Sequence, residues 1–450
     1  MFAEIKRREK RMSAAQVIAI GFFIIIAVGT ILLMLPISSR SGEWTNPLSA
    51  MFTAASATCV TGLVVVDTYQ YWNVFGQIVI LGMIQIGGLG FITFGVIFSM
   101  FMRKRIGLAS RSLIQESVSS MQLSGVVKLV RKIVKVTAIT EIIGAVLLAV
   151  RFIPRMGLLE GIYNSIFHSV SAFCNAGFDL MGRYEAYSSL TGYSGDIVVN
   201  VTIMALIIMG GLGFIVWEDL YHKKWNFKKY TLHTKIVISA SLLLIVGGAL
   251  LFGIFERNNL MSEMNPLEVT LTSLFASVTT RTAGYNTIDL GAMTQASKIL
   301  TSVLMFIGGS PGSTAGGIKT TSMVVIIVYI WSNLRNASGC NIFGRRIGDD
   351  NIKKASMVIG LNLVMAVTAT LLISAVQAVP LDDLMLEVFS AIGTVGLSTG
   401  LTRQLTVFSQ LVIIFLMYCG RIGSVTFTIS LAARKKVMPV QYPVEKINVG

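Results

Sequence analysis

Residues 56–62 read SATCVTG, and the heptapeptide recurs as SAFCNAG at 171–177 and as SAIGTVG at 390–396. The stretch VTTRTAG at 278–284 fits the same template more loosely. A second landmark begins with glycine at positions 87, 210, 308 and 420, which is 25, 33, 24 and 24 residues after the four final glycines. Two landmarks that recur in the same order four times predict four repeats of one structural unit.

The composition indicates a membrane protein. Of the 450 residues, 54% are hydrophobic and only 13% are charged, whereas soluble domains carry about 25% charged residues. Uncharged runs such as 14–35, 76–102 and 197–217 are each long enough for the roughly 20 apolar residues that cross a bilayer. The chain is therefore predicted to span the cell membrane several times.

The net charge of +15 indicates membrane topology rather than a nucleic-acid partner. Basic residues cluster beside the ends of the apolar runs, which is the positive-inside pattern. This pattern places both termini and the loops between repeats in the cytoplasm. The clusters lie at 6–11, 103–105, 223–229, 345–354 and 434–436.

Each repeat is predicted to contain a helix, a re-entrant half-helix and a second helix. The long apolar segments lie at 14–36, 74–102, 126–151, 197–221, 234–255, 296–334, 355–378 and 405–433. Between them lie segments too short to span, and three begin with helix-start signals at Asn46-Pro47, Asn265-Pro266 and Asp382-Asp383. The predicted repeats are residues 1–105, 106–225, 226–345 and 346–450. Two crossings per repeat give all four the same orientation, so the predicted fold is an all-α polytopic membrane protein with pseudo-fourfold symmetry around a central pore.

The loops that end the half-helices are predicted to line this pore. Glycine adopts backbone angles that other residues avoid and does not crowd an ion, and rings of backbone carbonyls select K⁺ in channels. We predict that the ion is K⁺, held by backbone carbonyls. The predicted selectivity filter comprises Thr58, Cys59, Val60, Thr61, Gly62, Cys174, Asn175, Ala176, Gly177, Arg281, Thr282, Ala283, Gly284, Thr394, Val395 and Gly396.

A glycine-rich stretch interrupts the sixth apolar segment and is predicted to be a gate. Proline and glycine both weaken a helix, and the stretch has more glycines than a kink needs; a packing kink is the alternative. Its residues are Gly308, Gly309, Ser310, Pro311, Gly312, Ser313, Thr314, Ala315, Gly316 and Gly317. Arg421 lies in the eighth apolar segment, where an arginine is costly. Two interpretations of Arg421 stay open: a structural ion pair, or an electrostatic barrier beside the cation path.

These features resemble the Trk/Ktr/HKT superfamily of K⁺ transporters. Within it, the Thr-Arg-Thr-Ala-Gly stretch at 280–284 and the Gly-Arg-Ile-Gly stretch at 420–423 are most similar to bacterial Ktr membrane subunits. The resemblance implies a homodimer with one pore per subunit and a cytosolic ring of RCK-type regulatory subunits that bind ATP or ADP. It also implies Na⁺ stimulation, the gate role of 308–317 and a pore role for Arg421, with no cofactor on this chain.

Two rival functions remain to be weighed. A Na⁺-conducting or weakly selective cation pathway is disfavoured because family members that pass Na⁺ carry serine where this chain has Gly62. A membrane-embedded enzyme is disfavoured because His168, His222 and His233 lie on distant segments and no nucleophile has an accompanying base. The glycines of the second landmark have another interpretation, which is that they permit close packing of helices.

Overall fold

The structure, a computed structural model, describes residues 13–90, 126–224, 226–337 and 339–431, together with 443 and 445. The predicted basic clusters at 6–11, 103–105 and 434–436 lie outside the described residues, as does the 91–102 part of the second apolar segment.

Four helices among the described residues are each long and apolar enough to cross a membrane. They are α1 (Ala14–Met34), α5 (Val126–Met156), α9 (Leu232–Phe255) and α13 (Asp349–Val376). At 1.5 Å per residue, 21 to 31 residues extend over about 31–46 Å, which exceeds the hydrocarbon core of about 30 Å. Their outer faces carry exposed leucines such as Leu242 and Leu243, as expected of surfaces in contact with lipid.

Four shorter helices correspond to the predicted half-helices. They are α2 (Pro47–Cys59), α6 (Leu158–Phe173), α10 (Pro266–Thr279) and α14 (Leu381–Gly393). At 13 to 16 residues, each extends for at most about 24 Å and cannot span. The predicted starts are confirmed: Asn46 accepts from Leu48 N at 2.9 Å and Asn265 from Glu268 N at 3.0 Å, and Asp382 and Asp383 lie in the first turn of α14.

Three of the helices that follow the half-helices are broken, and the prediction of continuous helices over 197–221 and 405–433 is wrong. Their pieces are α7 (Ile197–Leu212), α8 (Phe214–Lys223), α11 (Gln295–Phe306), α12 (Thr320–Leu334), α15 (Val407–Ile422) and α16 (Ser424–Leu431). The helix after the first half-helix is α4 (Val74–Leu89), whose C-cap Gly90 is the last residue described before the gap. Gly213 and Gly423 both have φ near +94°, a non-helical backbone angle that glycine adopts more readily than other residues. As a result α7 and α8 meet at 95°.

Short elements complete the described part. Helix α3 (Thr68–Tyr71) and an antiparallel hairpin of β1 (Asn341–Ile342) and β2 (Arg345–Arg346) are the larger ones. Single 3₁₀ turns occur at Pro36–Ser38, Met181–Arg183, Thr191–Tyr193, Phe227–Lys229 and Leu401–Gln404.

The half-helices pack in a cyclic order. Each lies against the helix that follows the previous half-helix along the chain, and the first lies against the helix that follows the last: α6 packs on α4, α10 on α7, α14 on α11, and α2 on α15. An ion pair reinforces one of these contacts, because Lys298 Nζ on α11 lies 2.8 Å from Asp383 Oδ1 on α14. This order brings the ends of the four half-helices together.

Candidate functional site

Four loops meet where the half-helices end, and we call them the glycine loops (residues 60–62, 175–177, 282–284 and 394–396). Each final glycine lies against the backbone carbonyl that precedes the glycine in a neighbouring loop, so close that an added Cβ would come within 2.7 Å of that oxygen. The contacts join Gly62 to Ala176, Gly177 to Ala283, Gly284 to Val395, and Gly396 to Thr61. The loops therefore form a closed ring of glycines and carbonyl oxygens.

The glycine loops hold a strained backbone that sequence reasoning did not find. The residue two positions before each ring glycine has a positive φ, which is 58° for Val60, 60° for Asn175, 68° for Thr282 and 52° for Thr394. Positive φ is a genuine outlier for β-branched residues and costs about 1–3 kcal/mol at each position. Strain of this kind persists only where the surroundings impose it, and it is typical of ligand-binding positions.

A serine at the start of the shared heptapeptide fixes three of the loops. The backbone carbonyls of these serines each accept a 2.8 Å hydrogen bond from the residue before the glycine. The hydroxyl groups of Ser56 and Ser390 also accept from the glycine N–H groups, at 3.1 and 3.0 Å. In the loosely matching third loop, Thr279 takes this role: its backbone carbonyl accepts from Ala283 N at 2.9 Å, and its hydroxyl donates to Tyr285 O at 2.6 Å. The serine shared by three heptapeptides was the available sequence signal.

Several residues predicted for the filter lie just before the ring. Thr58 and Cys59 form the last turn of α2, Cys174 caps the C-terminus of α6, and Arg281 follows α10. The Arg281 side chain is 8% exposed, and its Nε has no hydrogen-bond partner among the described residues. These four residues therefore lie next to the extended chain that carries the ring rather than within it.

A cavity of about 140 Å³ opens on one side of the ring, and all four glycines line it. We call it the vestibule. Three carboxylates, of Asp67, Asp179 and Asp289, also line it, together with Arg403, whose guanidinium lies 4.2 Å from the centre of the Tyr187 ring. Three carboxylates against one guanidinium make this wall attractive to cations. Sequence reasoning missed the vestibule, although Asp67 and Asp289 each come five residues after a ring glycine and could have indicated it.

The carboxyl group of Asp179 has a raised pKa. Burial raises the pKa of Asp179 to about 7; a hydrogen bond from Met181 N opposes the shift, and the nearby Asp67 carboxylate adds to it. The charge on this wall of the vestibule therefore changes near neutral pH.

On the opposite side of the ring lies the interrupted stretch, which is non-helical over residues 307–319 and is here called the broken segment. Two of its N–H groups replace the missing helical partners of α7: Ser310 N donates to Gly211 O at 3.0 Å and Thr314 N to Gly210 O at 3.2 Å. Gly316 lies against the side chain of Thr394 in the fourth glycine loop. The predicted gate residues are thus in direct contact with the ring.

Among the described residues, Arg421 binds carbonyl groups rather than a carboxylate. Its guanidinium donates to Thr314 O in the broken segment, and to Gly87 O and Gly88 O at the C-terminus of α4, the last at 3.0 Å. Within the described residues it has no carboxylate partner. The reason is that the C-terminus of a helix leaves carbonyls without donors, and a guanidinium offers five N–H groups.

Close packing accounts for the second landmark glycines. A Cβ on Gly87, Gly210 or Gly420 would strike the carbonyl oxygen of Thr58, Phe173 or Ile392 respectively, each in the last turn of a half-helix. A Cβ on Gly88 would lie 2.8 Å from Cys174 Sγ. These glycines let the helices that carry them approach the half-helices that support the ring.

Apolar helices of spanning length around buried loops that offer carbonyl oxygens are typical of membrane transport proteins. Residues 2–441 match the TrkH family of cation transport proteins. The chain belongs to this family, which comprises transporters and not enzymes.

Among its relatives, the chain is 43% identical to the potassium/sodium uptake protein NtpJ of Enterococcus hirae, over 99% of both chains. It is 41% identical to the Ktr system potassium uptake protein B of Bacillus subtilis, over 98% of this chain and 97% of that protein. The crystal structure of the potassium transporter TrkH from Vibrio parahaemolyticus has the same fold, with a TM-score of 0.73 and 17% identity over 95% of this chain and 86% of that chain.

Proposed function

We propose that this chain takes up K⁺ across the cell membrane through a central pore, with the glycine loops as its selectivity filter. The closed ring of glycines and carbonyl oxygens carries this proposal. Carbonyl oxygens replace the hydration shell of a cation, and the absence of Cβ atoms leaves room for them to face the axis. The cyclic packing of the half-helices supports four repeats, at 1–105, 106–225, 226–345 and 346–450, with pseudo-fourfold symmetry.

The broken segment is proposed as the gate. It lies against Thr394 of the ring and is held by hydrogen bonds to α7 and Arg421. The Arg421 guanidinium adds a positive charge next to the cation path. We therefore assign Arg421 two roles. Its hydrogen bonds to carbonyl groups hold the broken segment in place, and its charge raises the electrostatic barrier to cations.

Control of the gate is proposed to come from the cytoplasm. The name of the Bacillus subtilis relative includes a Ktr system, which supports a partner subunit; a cytosolic RCK-type ring that binds ATP or ADP fits the family resemblance. The same resemblance supports a homodimer, cytoplasmic termini and Na⁺ stimulation.

A Na⁺-conducting or weakly selective pathway is the second candidate. The observation that favours it is the name of the Enterococcus hirae relative, which includes both potassium and sodium. Gly62 favours K⁺, because the family members that pass Na⁺ carry serine at this position.

The decisive experiment is uptake of Rb⁺ by cells that lack their own K⁺ systems, with Na⁺ as competitor. Expression of the chain should restore growth at low K⁺ and give Rb⁺ uptake that K⁺ blocks at much lower concentration than Na⁺. Equal block by the two ions would favour the second candidate, and no uptake would contradict both.

A further inference from the structure

Thr314 connects the broken segment to the ring. It is fully buried, and each of its polar groups is bonded outside the segment. Its N–H donates to Gly210 O at 3.2 Å and its carbonyl accepts from Arg421. Its hydroxyl lies 3.1 Å from Phe173 O and 3.3 Å from Asn175 Oδ1, and its single proton is shared between these two acceptors. The hydroxyl therefore contacts the second glycine loop directly.

Asn175 extends this contact to the third glycine loop. Its side-chain NH₂ donates to Arg281 O at 3.2 Å and to Thr282 Oγ1 at 3.3 Å, which uses both of its hydrogens. Asn175 is 1% exposed, and Thr282 is fully buried. A continuous chain of buried hydrogen bonds thus leads from Thr314 through Asn175 to Thr282.

We propose that Asn175 is a positioning residue for ion selectivity and that the Thr314 hydroxyl sets its orientation. When the broken segment moves away, Asn175 Oδ1 loses its hydrogen-bond donor, while its NH₂ still binds the third loop. A buried amide left half-satisfied is costly, so the side chain reorients and shifts the two neighbouring loops. The position of the segment thereby controls discrimination between K⁺ and Na⁺ as well as flux. This inference rests on the proposed roles of the ring and the broken segment.

Three single variants at positions 313 and 314 test whether the Thr314 hydroxyl controls selectivity. T314V has nearly the same shape but lacks the hydroxyl, and T314S retains it. S313A removes a hydroxyl whose two bonds, to Ser310 O and from Ala315 N, both stay within the segment. The measurement is Rb⁺ uptake into proteoliposomes with Na⁺ as competitor. We expect T314V to lower the K⁺ over Na⁺ ratio about two- to tenfold, as expected for one lost buried hydrogen bond. T314S and S313A should keep the wild-type ratio.

A double variant tests whether Asn175 carries the effect. N175G keeps the positive φ of 60° without strain and removes the amide, so it should also lower the ratio. In the N175G background T314V should lower it no further, because the two substitutions break one chain. Additive losses, or a T314V protein with faster flux and an unchanged ratio, would overturn the inference.

The deletion of residues 310–316 keeps the inference testable if T314V does not reach the membrane. The deletion removes Thr314, so a variant that conducts faster should also discriminate less. Faster flux with wild-type discrimination would overturn the coupling but leave the gate in place. Unchanged flux after the deletion would contradict the gate itself, a different result from failure of the coupling.

Discussion

Gly62 illustrates how little space the ring allows one residue. Its φ is +93°, and a Cβ would lie 2.5 Å from Ala176 O and 3.2 Å from Gly177 Cα. Both the left-handed backbone and the neighbouring carbonyl thus require glycine at this position.

We predict that G62S lowers the K⁺ over Na⁺ ratio about tenfold, which corresponds to about 1.4 kcal/mol. The side chain displaces the Ala176 carbonyl and adds a hydroxyl ligand at one quarter of the ring. Competition between Rb⁺ and Na⁺ uptake measures the ratio. G82S is the matched control, because Gly82 on α4 has nothing within 4 Å of its Cβ position. An unchanged ratio for serine at Gly62, Gly177, Gly284 and Gly396 alike would remove these loops from the filter.

Asp179 gives a prediction of pH dependence. A carboxyl with a pKa of about 7 is mostly charged at pH 8 and mostly neutral at pH 6, so acidification removes negative charge from the vestibule. We expect uptake at low external K⁺ to fall about two- to threefold between pH 8 and pH 6, as local cation concentration falls. D179N should show the low-pH rate throughout, whereas D289N should retain the pH dependence because Asp179 is still present. A pH profile of D179N identical to that of the wild type would contradict this role.

Sequence reasoning located the four ring glycines because a heptapeptide repeats around them. It could not locate the strain at Val60 or Thr394, since β-branched residues give no sequence sign of positive φ. The vestibule carboxylates carried only a partial signal. Asp67 and Asp289 each come five residues after a ring glycine, but Asp179 comes two residues after its own and the fourth loop has Leu401 at the matching position, so the spacing does not recur in all four repeats.

At the scale of whole elements, the sequence predicts where some helices begin but not where others break. The half-helices were predictable because Asn-Pro and Asp-Asp are local start signals. The break at Gly213 was not, because Leu-Gly-Phe inside an apolar run also fits a continuous helix. Its cause is tertiary: Phe214 N donates to Gly312 O at 2.7 Å in the broken segment, which replaces a helical hydrogen bond.

We predict that deletion of residues 310–316 raises cation flux at least about tenfold and makes it less dependent on a cytosolic partner. The deletion removes the bonds of Ser310 N and Thr314 N to α7 and the Arg421 bond to Thr314 O, each worth about 0.5–1.5 kcal/mol. Proteoliposome flux with and without partner measures both effects, after normalisation for inserted protein. A deleted protein that inserts normally and conducts no faster would show that the segment is a packing kink.

At the scale of the whole molecule, the loop after α12, which is predicted to face the cytoplasm, has more defined structure than its basic sequence implies. Its hairpin is anchored by a small cluster that includes the buried residues Cys340, Ile347 and Ile352. The anchor leaves Arg345 and Arg346 on β2 exposed, and Lys353 and Lys354 on α13 are exposed as well. We call these four residues the basic hairpin patch. A fixed group of four positive charges can bind an acidic protein surface with defined geometry, in addition to its role in topology.

We predict that the basic hairpin patch docks the proposed cytosolic ring, and that R345Q/R346Q/K353Q/K354Q weakens binding about tenfold at low salt. The loss should shrink as salt rises, because exposed charges are screened beyond about 8 Å at physiological ionic strength. Co-purification and titration of the ring protein on detergent-solubilised chain measure the affinity. K128Q/R131Q/K132Q/K135Q is the matched control: it removes four exposed charges from α5, a helix end predicted to face the cytoplasm, and should leave binding intact. Equal losses for both quadruple variants would indicate a diffuse electrostatic attraction without a docking site. Nucleotide-insensitive flux at full rate with no partner present would contradict control from the cytoplasm altogether.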